Sequence, residues 1–280
     1  MKKNSKKMGA LLGVLLLGSA SVFAGSNEKG IDLYRAELYQ AAKLFFLSQS
    51  SQPTTEQAEN DYYLGQSYEA LQQTDSAAYY YDKAVQTDPE YAFGYIGQGK
   101  LALKKGDKKE AESLFKKANG LVKKDPSVQT TIAEVYIDAE MYPEAQEAMD
   151  KAAKVDKKYS GIFVAEGDML MKQGKVGEAC ARYENAIYYN ANDKVAYLKL
   201  SRVYKNNNSA QALEKLNTLV TIDPNYIPAY AEIGDINRAE GKYKAALDAY
   251  KKFISIPGVP ILQHERTLNC CISPILTPNR

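Results

Sequence analysis

The stretch AENDYYLGQSYEALQQTDSAAYYYDKAVQTDPEY, residues Ala58–Tyr91, decides the fold of this chain. It contains two short amphipathic helical patterns, a turn between them, and an Asp-Pro pair that ends the second pattern. Ala77, Tyr81 and Ala84 lie at i, i+4 and i+7 and therefore share one face of a helix. A hairpin of this size cannot bury its apolar face alone, so the pattern predicts that such units stack on one another.

The same unit recurs at a spacing of roughly 34 residues, which is typical of a helical repeat array. The large residue at Tyr81 has counterparts at Phe115, Met149, Tyr183, Leu216 and Tyr250. Small residues such as Gly65 recur beside it, which predicts close helix packing. Gly106, Gly174 and Gly241 fall between the two helices of their units, where a residue without Cβ accepts a positive φ.

Over residues 25–260 this pattern resembles the tetratricopeptide repeat. The whole chain resembles exported tetratricopeptide repeat proteins of a Bacteroidetes-like bacterial type. The resemblance implies an all-α, right-handed superhelical solenoid of about seven tandem helix-turn-helix repeats. We place the repeats at residues 25–57, 58–91, 92–125, 126–159, 160–193, 194–226 and 227–260. No copy carries the family's tryptophan: Tyr95, Phe163, Tyr197 and Tyr230 take its place, whereas Asp61 and Gln129 depart from the pattern. The segments 120–124 and 206–209 perturb the spacing locally.

Both ends of the chain differ from the repeats. Residues 1–24 combine a lysine-rich leader, an apolar stretch at residues 10–17 and a small residue at Ala24, which predicts a cleaved signal peptide and a periplasmic location. The alternative is an uncleaved N-terminal membrane anchor. Residues 261–280 lose the repeat pattern and are expected to form an irregular tail, or the natural chain is truncated or misread there.

Composition argues against several functional classes. The formal charge of +2 includes four lysines of the predicted signal peptide, and without them 32 basic residues face 34 acidic ones. This balance indicates neither a nucleic-acid partner nor an anionic membrane surface. His264 is the only histidine, and no phosphate-binding loop or Cys-x-x-Cys spacing occurs. We therefore expect no enzyme activity, no cofactor and no metal site, and no membrane span after signal cleavage.

The family resemblance implies a concave groove, lined by the first helix of each repeat, that binds extended peptides or helices. Transferred position by position, the groove residues are Tyr62, Gln66, Glu69, Ile96, Lys100, Leu103, Thr130, Glu134, Ile137, Val164, Asp168, Met171, Leu198, Arg202, Lys205, Asp235 and Arg238. The apolar members, Ile96, Leu103, Ile137, Val164, Met171 and Leu198, are expected to form an exposed stripe. The alternative is that self-packing of the superhelix, or the C-terminal segment, covers that stripe.

These observations favour a non-enzymatic scaffold of the bacterial cell envelope that binds a protein or peptide in its groove. One alternative is an accessory repeat arm of a larger, truncated envelope enzyme or membrane machine. Another is a glycan-binding module that uses exposed tyrosines. The chain has 22 tyrosines, and Tyr62 and Tyr79 are those that the packing pattern explains least.

Overall fold

A computed structural model describes residues 26–49 and 54–255, and these residues form fourteen α-helices. The predicted signal peptide and the predicted tail at 261–280 lie outside the described residues. The helices are α1 (Ser26–Arg35), α2 (Tyr39–Ser48), α3 (Thr54–Ala70), α4 (Thr74–Thr87), α5 (Ala92–Lys104), α6 (Lys108–Leu121), α7 (Pro126–Asp138), α8 (Tyr142–Val155), α9 (Ser160–Lys172), α10 (Val176–Tyr189), α11 (Lys194–Lys205), α12 (Ser209–Ile222), α13 (Ile227–Ala239) and α14 (Tyr243–Ser255).

Consecutive helices pair into seven hairpins, from α1–α2 to α13–α14. Each hairpin also packs on the next one, and most first helices contact the first helix of the following hairpin, as α5 does with α7 and α7 with α9. This nearest-neighbour pattern is that of a solenoid. The predicted all-α array of about seven helical repeats is confirmed.

Tyr81 shows how small and large residues lock neighbouring hairpins together. Its side chain is fully buried between Gly65 on α3 and Gly97 on α5. A Cβ added at Gly65 would lie 2.6 Å from the Tyr81 ring, so only glycine leaves room for the tyrosine there. The same arrangement recurs where Gly167 meets Tyr183, which explains why small and large residues repeat together in the sequence.

The turns inside the hairpins use a left-handed residue, as the sequence predicted. Gly106, Gly174 and Gly241 have φ angles of 84°, 75° and 73°. In other hairpins Glu37 and Gln72 adopt the same backbone conformation, with φ of 65° and 61°, although a side chain makes it less favourable. With Glu140, at a φ of 58°, six of the seven described hairpins share this turn geometry, and glycine is one of several residues that the chain uses for it.

The first hairpin also contacts the far end of the array. Helix α1 lies against α13, and Leu33 of α1 shares a buried cluster with Ile227. Ala36, in the turn after α1, belongs to a second cluster with Leu198 of α11. The described part of the solenoid is therefore closed on itself, with its first hairpin packed against the sixth and seventh.

Candidate functional site

The predicted groove residues fall into three rows along the first helices, and the first row is buried. Its members expose between 1% and 5% of their surface, and they are Tyr62, Ile96, Thr130, Val164 and Leu198. Ile137 of the third row is also buried, at 2% exposure. The expectation of an exposed apolar stripe is therefore wrong for Ile96, Ile137, Val164 and Leu198. Packing between adjacent first helices and within the hairpins encloses these side chains instead.

Tyr62 belongs to an aromatic cluster rather than to an open surface. Its ring centroid lies 5.1 Å from that of Tyr63 and 5.9 Å from that of Tyr81. Burial raises the pKa of Tyr62 well above its usual value. Tyr79, in contrast, is exposed, and it stacks edge-on against Tyr80. Of the two tyrosines that the packing pattern left unexplained, only Tyr79 reaches solvent.

The second row is polar and faces the concave side of the array. It comprises Gln66, Lys100, Glu134, Asp168, Arg202 and Asp235. Most of these side chains pair with a neighbouring helix. Lys100 Nζ lies 3.2 Å from a carboxylate oxygen of Asp138, and Asp168 lies 2.9 Å from Lys199 Nζ. The row is therefore a set of charged contacts between successive first helices.

The third row mixes charges and half-buried apolar side chains. Glu69 is buried and accepts a hydrogen bond of 2.7 Å from the Tyr81 hydroxyl, and Lys104 lies 2.5 Å from its other oxygen. Leu103 and Met171 are half-buried, so they are the members of the expected stripe that retain solvent contact. Lys205 pairs with Glu232 at 2.8 Å. Arg238 is exposed near the end of α13.

Sequence reasoning missed a further row of charges at the ends of the first helices. Lys104, Asp138 and Lys172 occupy equivalent positions in three successive repeats and alternate in sign. Asp138 lies 3.2 Å from Lys100 and 3.6 Å from Lys172. The repeat spacing contained the signal, because adding one repeat length to Lys104 leads to Asp138 and then to Lys172. The concave side therefore carries charges of alternating sign. We call the second row together with Lys104, Asp138 and Lys172 the charge ladder.

Two cationic side chains of α11 anchor the first hairpin. Lys194 Nζ of α11 lies 2.8 Å from Glu28, 3.0 Å from Asp32 and 3.2 Å from Asp223. Burial raises the pKa of Asp32 to about 6, although Lys194 and Arg35 act in the opposite direction. The three carboxylates converge in the manner of a metal site, but the Lys194 ammonium is the cation that they hold.

Arg202 makes the second anchor, at the turn between α1 and α2. Its guanidinium donates hydrogen bonds of 2.8 Å to the Glu37 carboxylate, to the Ala36 carbonyl and to Glu232. Nearby, the Tyr34 hydroxyl donates a hydrogen bond of 2.9 Å to Gln66 of the second row. In the described residues the superhelix therefore packs on itself in two ways: adjacent helices enclose the apolar positions, and the first hairpin covers part of the concave side.

A cavity of about 310 Å³ remains on the concave side beside the first hairpin. It lies between α7, α9, α11 and the α1–α2 turn. The lining residues are Glu37, Glu134, Ile137, Asp138, Asp168, Met171, Lys172 and Lys199. Four of the lining residues, Glu134, Ile137, Asp168 and Met171, are predicted groove residues, and the fold brings them together at this cavity. The lining carries four carboxylates and two lysines, with Ile137 and Met171 as its apolar part.

Glu134 is the electrostatically unusual member of this lining. Its side chain is open to the cavity, yet protein surrounds the cavity closely enough to weaken solvation of the carboxylate. This desolvation, reinforced by the negative charge of Asp168, raises the pKa of Glu134 to about 7. Lys199 and Arg35 oppose the shift without cancelling it. A second carboxylate, Asp138, acts in the same direction as Asp168.

No described helix is both long and apolar enough to cross a lipid bilayer. The chain resembles a curated relative, small glutamine-rich tetratricopeptide repeat-containing protein 2 of Saccharomyces cerevisiae (strain ATCC 204508 / S288c), with 38% identity over 74 residues. That match covers 26% of this chain and 19% of the relative, so the chain spans about a fifth of the relative's length.

Solved structures resemble this chain at low sequence identity. A tetratricopeptide repeat protein from Parabacteroides merdae ATCC 43184 is 15% identical, with 90% of this chain and 100% of that chain covered and a TM-score of 0.50. YrrB, a TPR protein with an unusual peptide-binding site, is 24% identical, with 67% of this chain and 98% of that chain covered and a TM-score of 0.42.

The family patterns themselves match two separate parts of the chain. The tetratricopeptide repeat pattern matches residues 62–126, which span α3 to α6, and again residues 227–258, which include α13 and α14. Outside these segments, Gly30 with Phe46 and Gly167 with Tyr183 repeat the glycine–aromatic contact, and Glu140 and Gly174 repeat the left-handed turn. The chain therefore contains tetratricopeptide repeats in both matched segments, and its seven described hairpins stack as a solenoid of helical repeats.

Proposed function

We propose that this chain is a non-enzymatic scaffold of the bacterial cell envelope that binds a protein or peptide on its concave side. The observation that carries the proposal is the half-open cavity of about 310 Å³ lined by α7, α9, α11 and the α1–α2 turn. Its volume lies at the lower end of the range for ligand pockets, which suits one inserted side chain of a larger partner. The charges around it extend along successive first helices and would continue the contact.

The charge ladder changes how such a partner would be recognised. Ile96, Ile137, Val164 and Leu198 are buried and offer a partner almost no exposed surface, with Ile137 reaching only the wall of the cavity. Half-exposed charges such as Lys172 and Asp168 surround the cavity instead. Complementary charges give a contact its orientation and specificity, and apolar burial by Met171 adds to affinity. We therefore assign recognition to charge pairing more than to an apolar stripe.

The predicted signal peptide supports the location part of the proposal, with an uncleaved N-terminal anchor as the alternative. The two rival functions, an accessory arm of a larger envelope machine and glycan binding, remain predictions from the sequence. Neither is favoured by a particular site among the described residues.

Site-specific photo-crosslinking in the cells that make the protein would test the proposal. A photoreactive amino acid would replace Lys172, which lies at the cavity with 43% of its side chain exposed. The matched control is Lys151 on α8, a second helix, with 50% exposure and an i,i−4 ion pair to Glu147. We expect discrete protein or peptide adducts, in the envelope fraction, from position 172 only.

Equal adducts from positions 172 and 151, or none from position 172, would contradict binding on the concave side. Adducts from position 172 in the cytosolic fraction alone would contradict the envelope location while leaving the binding surface in place. The two parts of the proposal are thus tested separately by one experiment.

A further inference from the structure

The carboxylates of the cavity differ in how they are neutralised. Glu37 is paired with Arg202 at 2.8 Å, and Asp168 is paired with Lys199 at 2.9 Å. Asp138 lies between Lys100 and Lys172. Both lysines of the lining are therefore already engaged by carboxylates of the same ladder.

Glu134 is the exception in this lining. In residues 26–49 and 54–255, no ion pair and no hydrogen bond joins its carboxylate to another side chain. It lines a cavity that no described side chain fills, and the charges that act on it are two carboxylates, Asp168 and Asp138, and two cations, Lys199 and Arg35, neither of which forms an ion pair with it. A carboxylate in poor solvation with acidic neighbours gains most from a cation brought by a ligand.

The apolar part of the lining adds a second requirement. Met171 is half-buried and Ile137 is buried, and both lie at the same cavity as Glu134. A compact inorganic cation would leave this apolar surface uncovered. A cationic head on an alkyl stem would cover it, because lysine and arginine stems pack along apolar surface while their heads keep polar partners.

We propose that this cavity binds the basic side chain of an extended peptide, with the cationic head at Glu134 and the alkyl stem against Met171. The inference rests on the proposed function and adds the chemical class of the anchoring residue. The same alkylammonium chemistry also occurs in a free diamine, so the test includes that second source.

Peptide display on the full chain would test the anchor. Random peptides would be selected against the wild-type protein, Glu134→Gln and the control Glu147→Gln, which removes an exposed carboxylate from α8. We expect wild type and Glu147→Gln to enrich peptides with lysine or arginine at one fixed position. Glu134→Gln would enrich peptides without that preference, because its side chain has the same shape but no charge.

A selected peptide would then be compared with its copy carrying norleucine in place of the basic residue. We expect the wild-type protein to lose affinity about tenfold or more, and Glu134→Gln to lose less than about threefold, because a charge-assisted contact accounts for the difference. Enrichment without a fixed basic position, or an equal norleucine effect in both proteins, would overturn the anchor and leave peptide binding intact.

If no peptide were enriched by the wild-type protein, the proposed peptide-binding function would fail in this assay. Calorimetry with cadaverine, a free diamine, would then decide the chemistry of the cavity. Binding to wild type but not to Glu134→Gln would establish an alkylammonium site whose ligand is a small amine. No heat signal with either protein would overturn the cation site itself.

Discussion

Replacing Lys194 by methionine should release the first hairpin from the far end of the array. The ammonium of Lys194 neutralises Asp32, whose side chain is 9% exposed, and Asp223, whose side chain is 28% exposed. Its contact with Glu28 contributes little, since that carboxylate is 64% exposed. Methionine keeps most of the stem but leaves Asp32 without its counterion. We estimate a loss of about 2–3 kcal/mol in the free energy that holds α1 in place.

Hydrogen–deuterium exchange resolved by peptide is the suitable assay. A loss of about 2–3 kcal/mol corresponds to roughly 30- to 150-fold faster exchange for amides that exchange by local opening of the hairpin. We expect this increase in α1 and α2, and little change in α6 to α9. The control is Lys215→Met, because Lys215 pairs only with its exposed neighbour Glu214 among the ion pairs of the described residues.

The effect should depend on pH in a defined direction. Burial already raises the Asp32 pKa from 3.8 to about 6 with Lys194 present, so loss of Lys194 raises it further. A carboxyl with a raised pKa in the folded state destabilises that state when ionised, fully above its folded pKa and not at all below its unfolded pKa. The part of the extra opening of Lys194→Met that comes from Asp32 should therefore shrink as the pH falls towards about 6, and should be absent below that pH, where Asp32 is protonated in both folded proteins. Unchanged exchange in α1, or faster exchange spread over all helices, would refute closure by this contact.

Two further predictions concern the packing and the cavity. Gly65→Ala places a Cβ 2.6 Å from the Tyr81 ring and should destabilise the protein by about 1–3 kcal/mol in urea titration. Gly120→Ala meets no atom within 4 Å and should stabilise by up to about 1 kcal/mol through helix propensity, so equal effects of the two changes would contradict the packing argument. Glu134→Gln should stabilise by about 1 kcal/mol or less, after allowance for solvent screening, above pH 7. That gain should vanish below about pH 4.5, and a variant less stable than wild type in alkaline buffer would refute it.

The repeat architecture could be predicted because its defining contacts lie within one hairpin or between neighbours. Gly65 and Tyr81 are close in sequence, and the pair recurs as Gly167 with Tyr183. Each copy therefore repeats the same signal, and the periodic sequence suffices to identify it. The turn glycines follow from the same local logic, as the positive φ of Gly106 shows.

The burial of the first groove row could not be predicted from periodicity. A helix pattern shows that Ile96 and Val164 face one side of their helices, but not whether the next first helix covers that side. In the structure α5 contacts α7 and α7 contacts α9, and these positions are enclosed. The tilt between successive hairpins sets the distance between successive first helices. That tilt results from packing along the whole array.

The closure by the first hairpin had no periodic signal at all. Lys194 and Glu28 are 166 positions apart, and Arg202 and Glu37 are 165 apart. Each of these pairs occurs once among the described residues, so no repeat comparison can reveal them. Each partner also looks like an ordinary surface charge when its helix is considered alone.

Closure and the cavity are linked through Glu37. This residue lines the cavity and at the same time accepts a hydrogen bond from Arg202, which also holds the Ala36 carbonyl. A cation that enters the cavity approaches both Glu134 and the turn that fixes the first hairpin. The cation can bind the cavity with one affinity when the first hairpin is docked and with another when it is released. In that case the cation changes the docking equilibrium constant of the hairpin by the same factor, because coupling between two equilibria is reciprocal. The concave side is therefore better described as a partly filled surface, whose remaining space is defined by the chain's own first hairpin, than as an open groove.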